Sequence, residues 1–564
     1  MIEILEKKNK TILSILFFML FGIAPFYYKG NLGGTGLSLP YNNAVWAVAI
    51  TIIFYSIVRI FTNKEIVYVN KLWMIVAFPL LIIISSFFSG YLSASAWIIR
   101  QMYILGGGLY LLSLFQMDLS TKEVEKILFF VVLSMVFHAG LSTLQTLNFE
   151  SLKGFIPPNT GRASGVLQQI NVHASYLATG VIICFFIISR ASFNSQNIFE
   201  KSIIFLSIFL CSFSVFNSGS RIGISSLLVS FPLLIFAYKE EYLKNRNVFF
   251  LALIIFIVGA YLGRDGVGTA VDKGHDIFQG YADIRTVIYS ISIKIVQAEF
   301  IWGHGLGGFV NAWSQVAPEF YLSNPSVQRV PFITHPHNEF ILWFIETGLL
   351  GITGIVIFVW GVIRSLINCG RKNGLGFLAL LIPISFHTQV ELPFYISSLH
   401  WFLWLFLIFM VLNTDKKKTK VISSPPTRNI TIISIVYLAS ILFIYDCEMA
   451  RRDLYHTMKK QKDTNNEYPL QTALNNLYFQ SVAERLVMRK FMRTSIRNND
   501  KTNIATYTEW AEEFIKINPE LKVLEDLSES YSVLNLKQKR CKVVNTGLYI
   551  HGESKVLSEY ANDC

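Results

Sequence analysis

Long apolar segments recur along this chain and constrain its fold more than any other feature. A helix that crosses a lipid bilayer needs roughly 20 predominantly apolar residues. About 13 segments approach that length by this criterion, at 11–28, 44–61, 72–90, 96–116, 127–147, 172–189, 202–217, 223–238, 248–263, 338–363, 374–388, 400–413 and 429–446. Only 15% of the residues are charged, against about 25% in soluble domains. The sequence therefore predicts an all-α polytopic membrane protein with about 13 transmembrane helices.

Basic residues give the predicted orientation of these helices. The formal net charge is +12, and lysine and arginine gather in alternate short loops, which stay on the cytoplasmic side. The remaining loops are long or poor in charge and are predicted to lie outside: 29–43, 90–95, 148–171, 264–337 and 389–399. The basic residues form no stripe with interleaved aromatic side chains, which argues against nucleic acid as a partner.

The chain is predicted to form two domains. Residues 1–446 form a transmembrane domain that contains the large outer loop 264–337, and residues 447–564 form a helical domain outside the membrane. Apolar residues at helical spacing predict one helix through Ala473, Leu477, Tyr478, Val482, Leu486 and Met488. Helices at about 503–517 and 520–536 follow, so a stack of short helix pairs suits this tail. Cys541 and Cys564 face an oxidising compartment and either form a disulfide or remain thiols.

Two histidines, an asparagine and a glutamate interrupt the pattern at 335–339, between the large outer loop and an apolar segment. A metal ion held by His335, His337 and Glu339 would need a further ligand from far away, and the chain contains no Asp-x-Asp motif. We therefore expect a metal-independent site. Glu339, Trp343 and Glu346 share one face of the predicted helix. Glu346 would then lie inside the membrane, where a carboxylate needs a partner, either in an ion pair or in a contact with substrate.

Arginines accompany this segment on the predicted outer face. Arg162 lies in the turn Gly161–Gly165, Arg221 in the turn 218–223 and Arg285 in the large outer loop. A guanidinium group binds phosphate oxygens in a bidentate manner, so these arginines suit an anionic lipid head group. Arg100, near the outer end of the fourth segment, is expected only to extend towards the membrane interface.

The large outer loop carries two further patterns. Isoleucines and a valine at helical spacing from Ile284 to Ile295 predict an amphipathic helix that could lie in the membrane plane. The glycine-rich turn Trp302–Gly308 superficially matches a dinucleotide fingerprint, but it follows no predicted strand. A lid over a lipid-embedded substrate fits this turn better, and a plain surface loop is the alternative.

Taken together, these motifs resemble a known superfamily. His337-Asn338-Glu339, followed by Trp343, Glu346 and the Gly348–Gly351 segment, resembles the signature of the O-antigen ligase and polymerase superfamily. Three other features are similar to one branch of this superfamily, the protein O-oligosaccharyltransferases (pilin glycosylation ligases). The first is Arg162–Gly165 together with Gln169 and Asn171. The second is His387 together with Glu391 and Pro393, and the third is the helical tail.

The resemblance implies that a glycan passes from undecaprenyl diphosphate to a protein hydroxyl at the periplasmic face of a bacterial inner membrane, without a cofactor. It implies a catalytic role for His337. It also gives Gln169 and Tyr395 the positions of functional residues in this branch, and we expect them and Glu391 to contact the substrate. From the chemistry of their side chains we expect Arg221 and Arg285, with Arg162 as a further candidate, to hold the diphosphate. Phe394-Tyr395 stands where the branch often has Trp-Tyr, which leaves the register of Tyr395 open.

The expected partners are the undecaprenyl-diphosphate-linked oligosaccharide, an acceptor protein such as a pilin, and membrane lipids. An O-antigen ligase that acts on lipid A core, or an O-antigen polymerase, would share the donor and differ in the acceptor. A lipid-linked glycan flippase is a third alternative. Transporters tend to show internal repeats with polar groups near the bilayer midplane, whereas here no repeat is evident and the polar groups gather at one face.

Overall fold

The computed structural model describes residues 2–69, 71–90, 94–148, 162–268, 270–271, 284–330, 332–414, 419–423, 430–460 and 470–564. Gly161, at the start of the predicted turn around Arg162, lies outside the described residues, as do 272–283 of the large outer loop. The fold is all-α, as predicted, apart from one small antiparallel sheet of β1 (Glu65–Val69) and β2 (Thr419–Ser423).

The helices of the N-terminal half follow the predicted apolar segments. They are α1 (Ile2–Phe18, continued by single turns to Phe26), α2 (Pro40–Asn63), α3 (Leu72–Ser89), α4 (Ala94–Phe115), α5 (Thr121–Thr146), α6 (Ile170–Ile188), α7 (Ile198–Ser218), α8 (Arg221–Ala237), α9 (Lys239–Lys244) and α10 (Arg246–Leu262). The next group consists of α11 (Ile284–Ala298), α12 (Phe309–Ser323), α13 (Glu339–Asn368), α14 (Gly370–His387), α15 (Pro393–Ile396), α16 (Ser398–Thr414) and α17 (Ile430–Lys460).

Each of the predicted spans is a helix. Within the described ranges, nine helices are long and apolar enough to cross a membrane: the N-terminal helix, α2 to α7, α13 and α17. Helices α8, α10 and α16 are apolar but shorter. Helix α14, the predicted eleventh span, carries Arg371 and Lys372 in its first turn. The structure therefore supports a multi-pass membrane protein.

The described chain packs into two compact units. The first unit comprises Met1–Ala77, Ile104–Tyr281 and Val356–Glu448. Helix α6 lies at its centre, because 89% of its apolar stretch is buried and the helix packs against α5, α7, α8 and α14. Gly223 of α8 allows the close approach to α6, since a β-carbon there would lie 2.8 Å from Cβ of Ala174.

The second unit comprises Phe78–Tyr103, Ala282–Ile355 and Met449–Cys564. Its helix α11 confirms the predicted amphipathic helix but corrects its setting. Val287, Ile288, Ile291 and Ile295 are buried in the protein, so this stripe is not available to lie in the membrane plane. The predicted division into residues 1–446 in the membrane and 447–564 outside it remains a prediction. In the packing of the helices, the tail belongs to the same unit as residues 282–355.

The tail is a stack of short helices, which suits the sequence-based expectation. Its helices are α18 (Gln471–Asn475), α19 (Gln480–Arg497), α20 (Lys501–Ile517), α21 (Leu521–Val533), α22 (Lys537–His551) and α23 (Lys555–Ala561). The single helix predicted through Ala473 and Met488 is wrong, because the chain breaks between α18 and α19 and leaves Leu477 exposed. Cys541 and Cys564 form a disulfide, which decides between the two alternatives.

Candidate functional site

The histidine motif lies at the start of α13 in the second unit. Asn338 caps this helix, since its Oδ1 accepts a hydrogen bond from the Ile341 amide at 3.0 Å and its carbonyl accepts one from Leu342 at 3.0 Å. An asparagine cap satisfies backbone N–H groups that lack partners inside the helix. The cap therefore fixes where the helix begins and leaves His337 in the preceding turn.

His337 adopts a left-handed backbone conformation, with φ of 52°. Such a conformation is uncommon for a residue other than glycine and is concentrated at functional sites. The His337 amide donates to Nδ1 of His335 at 3.3 Å, and the two imidazole rings are 4.3 Å apart between centroids. Nδ1 of His335 must be unprotonated to accept this bond. His335 therefore shapes the turn that presents His337.

Helix α11 brings an arginine towards this turn. The hydroxyl of Tyr289 donates to the carbonyl of His337 at 3.5 Å. Arg285 precedes Tyr289 by four residues and is therefore on the same face of α11. Its side chain is half-buried. Of the three arginines predicted to bind diphosphate, Arg285 is the one that the structure groups with His337 in one unit.

Arg100 pairs with the buried glutamate of α13. Its Nε and Nη2 donate to the two carboxylate oxygens of Glu346 at 3.1 and 3.0 Å, and its guanidinium lies 5.8 Å from the centre of the Trp343 ring. Glu346 is 1% exposed. This pair supplies the partner that the sequence required for Glu346 and corrects the expectation that Arg100 only extends to the interface. Glu339, on the same helix face, is also buried.

The glycine-rich turn packs against a break in α13, which corrects the expectation of a lid. Gly348 interrupts the helix with φ of 60° and ψ of −155°. A β-carbon there would lie 2.3 Å from the carbonyl oxygen of Ile301, and one on Gly303 would lie 2.5 Å from the Gly348 nitrogen. The Leu349 and His304 amides donate across this contact to the carbonyls of Phe300 and Ile345. The glycines thus allow two backbones to touch, and the turn fixes the broken helix.

The first unit holds the other predicted site residues. Nη1 of Arg162 donates to the Ser218 carbonyl at 3.1 Å, beside Gly219, whose φ is 63°. The hydroxyl of Ser220 donates to Oδ1 of Asn171 at 2.9 Å. The segment around Arg162, the start of α6 and the α7–α8 turn therefore meet, as the sequence predicted for one face of the bundle.

Arg221 is the first residue of α8 and is half-buried. Within the described residues its guanidinium makes no hydrogen bond or ion pair with the protein. An arginine whose donors are not used by the protein is suited to an anionic ligand. The prediction that Arg221 contacts diphosphate is compatible with this position and remains a prediction.

Gln169, Glu391 and Tyr395 occupy enclosed positions in the first unit. Gln169 immediately precedes α6, and its Oε1 is buried without a hydrogen-bond partner among the described residues. Glu391 and Tyr395 are 6% and 9% exposed. Phe394, the neighbour of Tyr395, packs against Trp401 and Trp404. The roles of these residues as substrate contacts stay predictions.

Comparison with protein families gives two matches. A family described as O-antigen ligase matches residues 206–359, and a family described as virulence factor membrane-bound polymerase, C-terminal, matches residues 376–560. Together they support the O-antigen ligase superfamily. The first match includes Arg221, Arg285, His337 and Glu346, and the second includes Glu391 and the tail up to residue 560. Comparison with curated proteins finds no significant match.

Sequence reasoning missed one group of polar side chains in the first unit. The Tyr41 hydroxyl and Asn42 Nδ2 both donate to the Ile396 carbonyl, at 2.6 and 3.0 Å, and the Ser398 amide donates to Asn42 Oδ1 at 2.8 Å. These bonds fix the segment that carries Tyr395. The available signal was a run of polar residues at 41–43 directly before an apolar segment.

Proposed function

We propose that this chain transfers a preassembled glycan from undecaprenyl diphosphate to a serine or threonine hydroxyl of a periplasmic protein such as a pilin. An activity of O-antigen ligase or polymerase type is supported by the two family matches. The protein acceptor is proposed from the resemblance to the O-oligosaccharyltransferase branch, and the observation that carries the proposed chemistry is the setting of His337. It lies in a constrained turn before the capped helix α13, with Tyr289, on the helix of Arg285, against its carbonyl.

In the proposed reaction His337 acts as a general base. It takes the proton from the acceptor hydroxyl, whose oxygen then bonds to the anomeric carbon of the glycan with inversion. The bond from that carbon to the diphosphate oxygen breaks, and the electron pair leaves on the diphosphate. Proton transfer to a positioned base contributes roughly 10²–10⁴-fold to such rates.

Arginines supply the electrostatic part of the proposal. Charge develops on the diphosphate as it leaves, and preorganised donors stabilise that charge most effectively where water is excluded. Arg285 is proposed for this role in the unit of His337. Arg162 and Arg221 are proposed as diphosphate contacts, and Gln169, Glu391 and Tyr395 as further substrate contacts, on the basis of sequence resemblance and their enclosed positions.

The proposal places the reaction at the periplasmic face of a bacterial inner membrane, with membrane lipids around the multi-pass unit. It uses neither a cofactor nor a metal ion, because the chain lacks an Asp-x-Asp motif that would hold a divalent ion against diphosphate. Transfer should therefore continue at an unchanged rate after treatment with a chelator. Loss of transfer, restored by a divalent ion, would contradict this part.

The family descriptions name a ligase and a polymerase, so transfer to lipid A core, or extension of the glycan itself, is the second candidate. Coexpression with a lipid-linked glycan pathway and candidate secreted proteins separates the possibilities. Intact-mass analysis should show a glycan-sized increase on a protein. Glycan that appears only on lipid A core, or only as longer lipid-linked chains, would identify the ligase or the polymerase instead.

A further inference from the structure

Four further histidines lie deep in the first unit. His138 of α5, His173 of α6, His387 of α14 and His400 of α16 are each 0% exposed. Histidine is seldom completely buried in apolar surroundings, because each neutral ring carries one donor and one acceptor that need partners. Four helices thus deliver polar rings to one place, and the proposed transfer reaction uses none of them.

One serine links two of these rings. The hydroxyl of Ser175 lies 2.7 Å from Nδ1 of His387 and 3.2 Å from Nε2 of His400. A hydroxyl has a single proton and two lone pairs. At least one of the two imidazole nitrogens must therefore donate its own proton to Ser175. The serine connects the rings of α14 and α16 through α6.

Five other ring nitrogens of this cluster have no hydrogen-bond partner in the part of the chain that the structure describes. Both nitrogens of His138, both nitrogens of His173 and Nδ1 of His400 are buried without a hydrogen bond within the described ranges. Buried polar atoms in native proteins are almost always paired, with protein or with ordered water. Inside apolar helices such unpaired atoms are especially costly. This cluster therefore needs a small polar ligand that both donates and accepts hydrogen bonds.

The spacing of the rings fits water as that ligand. Ring centroids are 6.4 Å apart between His138 and His173, 5.3 Å between His138 and Tyr176, and 5.4 Å between Tyr176 and His400. At 6.4 Å the rings of His138 and His173 are too far apart for a direct bond between their nitrogens, which suits a bridging water, and Tyr176 packs against His138 and His400. The rings follow one another around the N-terminal half of α6, so bridging molecules would form a continuous chain.

The segment before α6 closes this chain at one end. Gly165 has φ of 58°, and a β-carbon there would lie 3.0 Å from Cε1 of His173. Nε2 of Gln168 and Oε1 of Gln169 are also buried without partners in the described part of the chain. Unpaired polar atoms therefore continue from the amide groups of this segment to His400.

We propose that the histidine cluster of His138, His173, His387 and His400 is a built water site, in which imidazole rings and water form a proton-transfer chain. Each hop breaks one N–H or O–H bond and forms another, with no change in oxidation state and no co-reactant beyond water. The proton-transfer chain ends at Gln169, which is also a proposed substrate contact, but the four rings do not depend on the glycan transfer and would form this site if that activity were of another kind.

Radiolytic hydroxyl-radical footprinting of the full chain tests for the water. Radicals formed from bound water should modify Tyr176 at least about five times faster than Tyr41, a completely buried tyrosine of the same unit with a bonded hydroxyl. In a His138→Leu variant the modification of Tyr176 should fall towards the Tyr41 rate. Equal rates for the two tyrosines in the unaltered protein would overturn the proposal.

Water-edited solid-state NMR of the histidine-¹⁵N-labelled chain in lipid tests for proton transfer. Signals that disappear in His138→Leu and His173→Leu variants identify the two rings. In the unaltered protein those rings should receive magnetisation from water and show nitrogen shifts averaged between the two neutral tautomers. If each ring kept one fixed tautomer, the proton chain would be overturned, even if Tyr176 were modified rapidly in the footprinting experiment. If the rings received no magnetisation from water, the water site would be overturned as well.

Discussion

His337 occupies a backbone conformation that most side chains avoid, and three neighbours hold it there. His335 accepts its amide proton, Asn338 caps the helix behind it, and Tyr289 donates to its carbonyl. A residue in the left-handed region stores strain of about 1–3 kcal/mol, which the surrounding bonds offset. At the scale of single residues, the site is therefore a turn whose shape is set before substrate binds. Removing a neighbour should reduce the transfer rate according to the hydrogen bonds that this neighbour makes with the turn.

Replacing His335 by alanine should slow transfer about three- to tenfold, because a lost hydrogen bond of about 0.5–1.5 kcal/mol loosens the turn. His335→Asn should stay close to the wild-type rate, since its amide oxygen can accept the same proton. Initial rates with purified protein and a lipid-linked glycan measure this. Equal losses in both variants would show that His335 acts in another way.

Removing Arg100 should destabilise the protein strongly. Its guanidinium grips both oxygens of Glu346, which is almost completely buried, and an unpaired buried charge costs about 3–5 kcal/mol. Arg100→Leu should therefore lower the unfolding midpoint in detergent. The double variant with Glu346→Leu should recover much of the loss, and Arg264→Ala, on an exposed arginine, should change little. If the double variant were as unstable as the single one, the pair would not be the cause.

At the scale of secondary-structure elements, the break in α13 at Gly348 is the main irregular feature of the second unit. The glycine-rich turn contacts the helix through backbone atoms on both sides, and Ser85 of α3 donates to the carbonyls of Trp302 and Thr347 at 3.1 and 2.9 Å. The carbonyls and amides freed by the break thus find partners. The break fixes the direction of the helix segment whose first residues follow His337.

Gly348→Ala should therefore be among the most damaging glycine substitutions. Its β-carbon would meet the Ile301 carbonyl at 2.3 Å in a left-handed conformation, which costs about 2–6 kcal/mol through overpacking and strain. Gly140→Ala is the matched control, since nothing lies within 4 Å of its β-carbon and helical alanine gains about 0.5–1 kcal/mol. Thermal unfolding of both variants decides this. A harmless Gly348→Ala would contradict the backbone contact.

The tail contacts the segment that leads to His337. The rings of Phe332 and His551 lie 4.8 Å apart, and Nη1 of Arg329 donates to the Tyr549 carbonyl at 3.4 Å. Nε2 of His551 bonds to the Pro519 carbonyl at 2.8 Å. Burial lowers the pKa of His551, although the Pro519 carbonyl, Glu525 and Glu520 act in the opposite direction. The docked tail therefore favours a neutral His551.

This pKa shift makes tail docking sensitive to pH. The detached tail binds more protons than the docked one, so docking is strongest above the ordinary histidine pKa of about 6.5 and weakens as pH falls below it. Hydrogen exchange of the 324–332 segment should accelerate at pH 5.5 relative to pH 7.5, after correction for intrinsic rates. His551→Gln, which keeps a donor for Pro519, should remove that dependence. An unchanged pH dependence in His551→Gln would contradict the assignment.

At the scale of the whole molecule, local patterns in the sequence predict the helices but not their partners. The length of an apolar segment and the charge of a loop are local properties of the sequence. The apolar helices, the helical tail and the start of α13 could therefore be predicted from the sequence. The pairing of Arg100 with Glu346 joins residues 246 positions apart, and helix packing decides it. For the same reason the sequence placed the α11 stripe in the membrane plane, whereas the structure buries it in protein.

The candidate site divides in the same way. The histidine, the cap and the glycines were visible as a motif, because each is a local backbone requirement. The contacts of Tyr41 and Asn42 with Ile396 and the convergence of four buried histidines were not visible. The polar run 41–43 showed that Tyr41 and Asn42 were unusual but not which residues they contact. His138, His173 and His400 each lie singly in an apolar segment, where periodicity predicts only burial. The two family matches support an activity of ligase or polymerase type, and packing shows which residues lie together.

The most direct test of the account is the transfer rate of His337→Ala with purified protein, a lipid-linked glycan and a protein acceptor. The rate should fall by roughly 10²–10⁴-fold, with membrane abundance and unfolding midpoint unchanged, because a half-buried turn residue contributes little to packing. Arg285→Ala should also slow transfer, while His304→Ala should not do so beyond its effect on stability. Near-wild-type glycan transfer by His337→Ala would contradict the central claim.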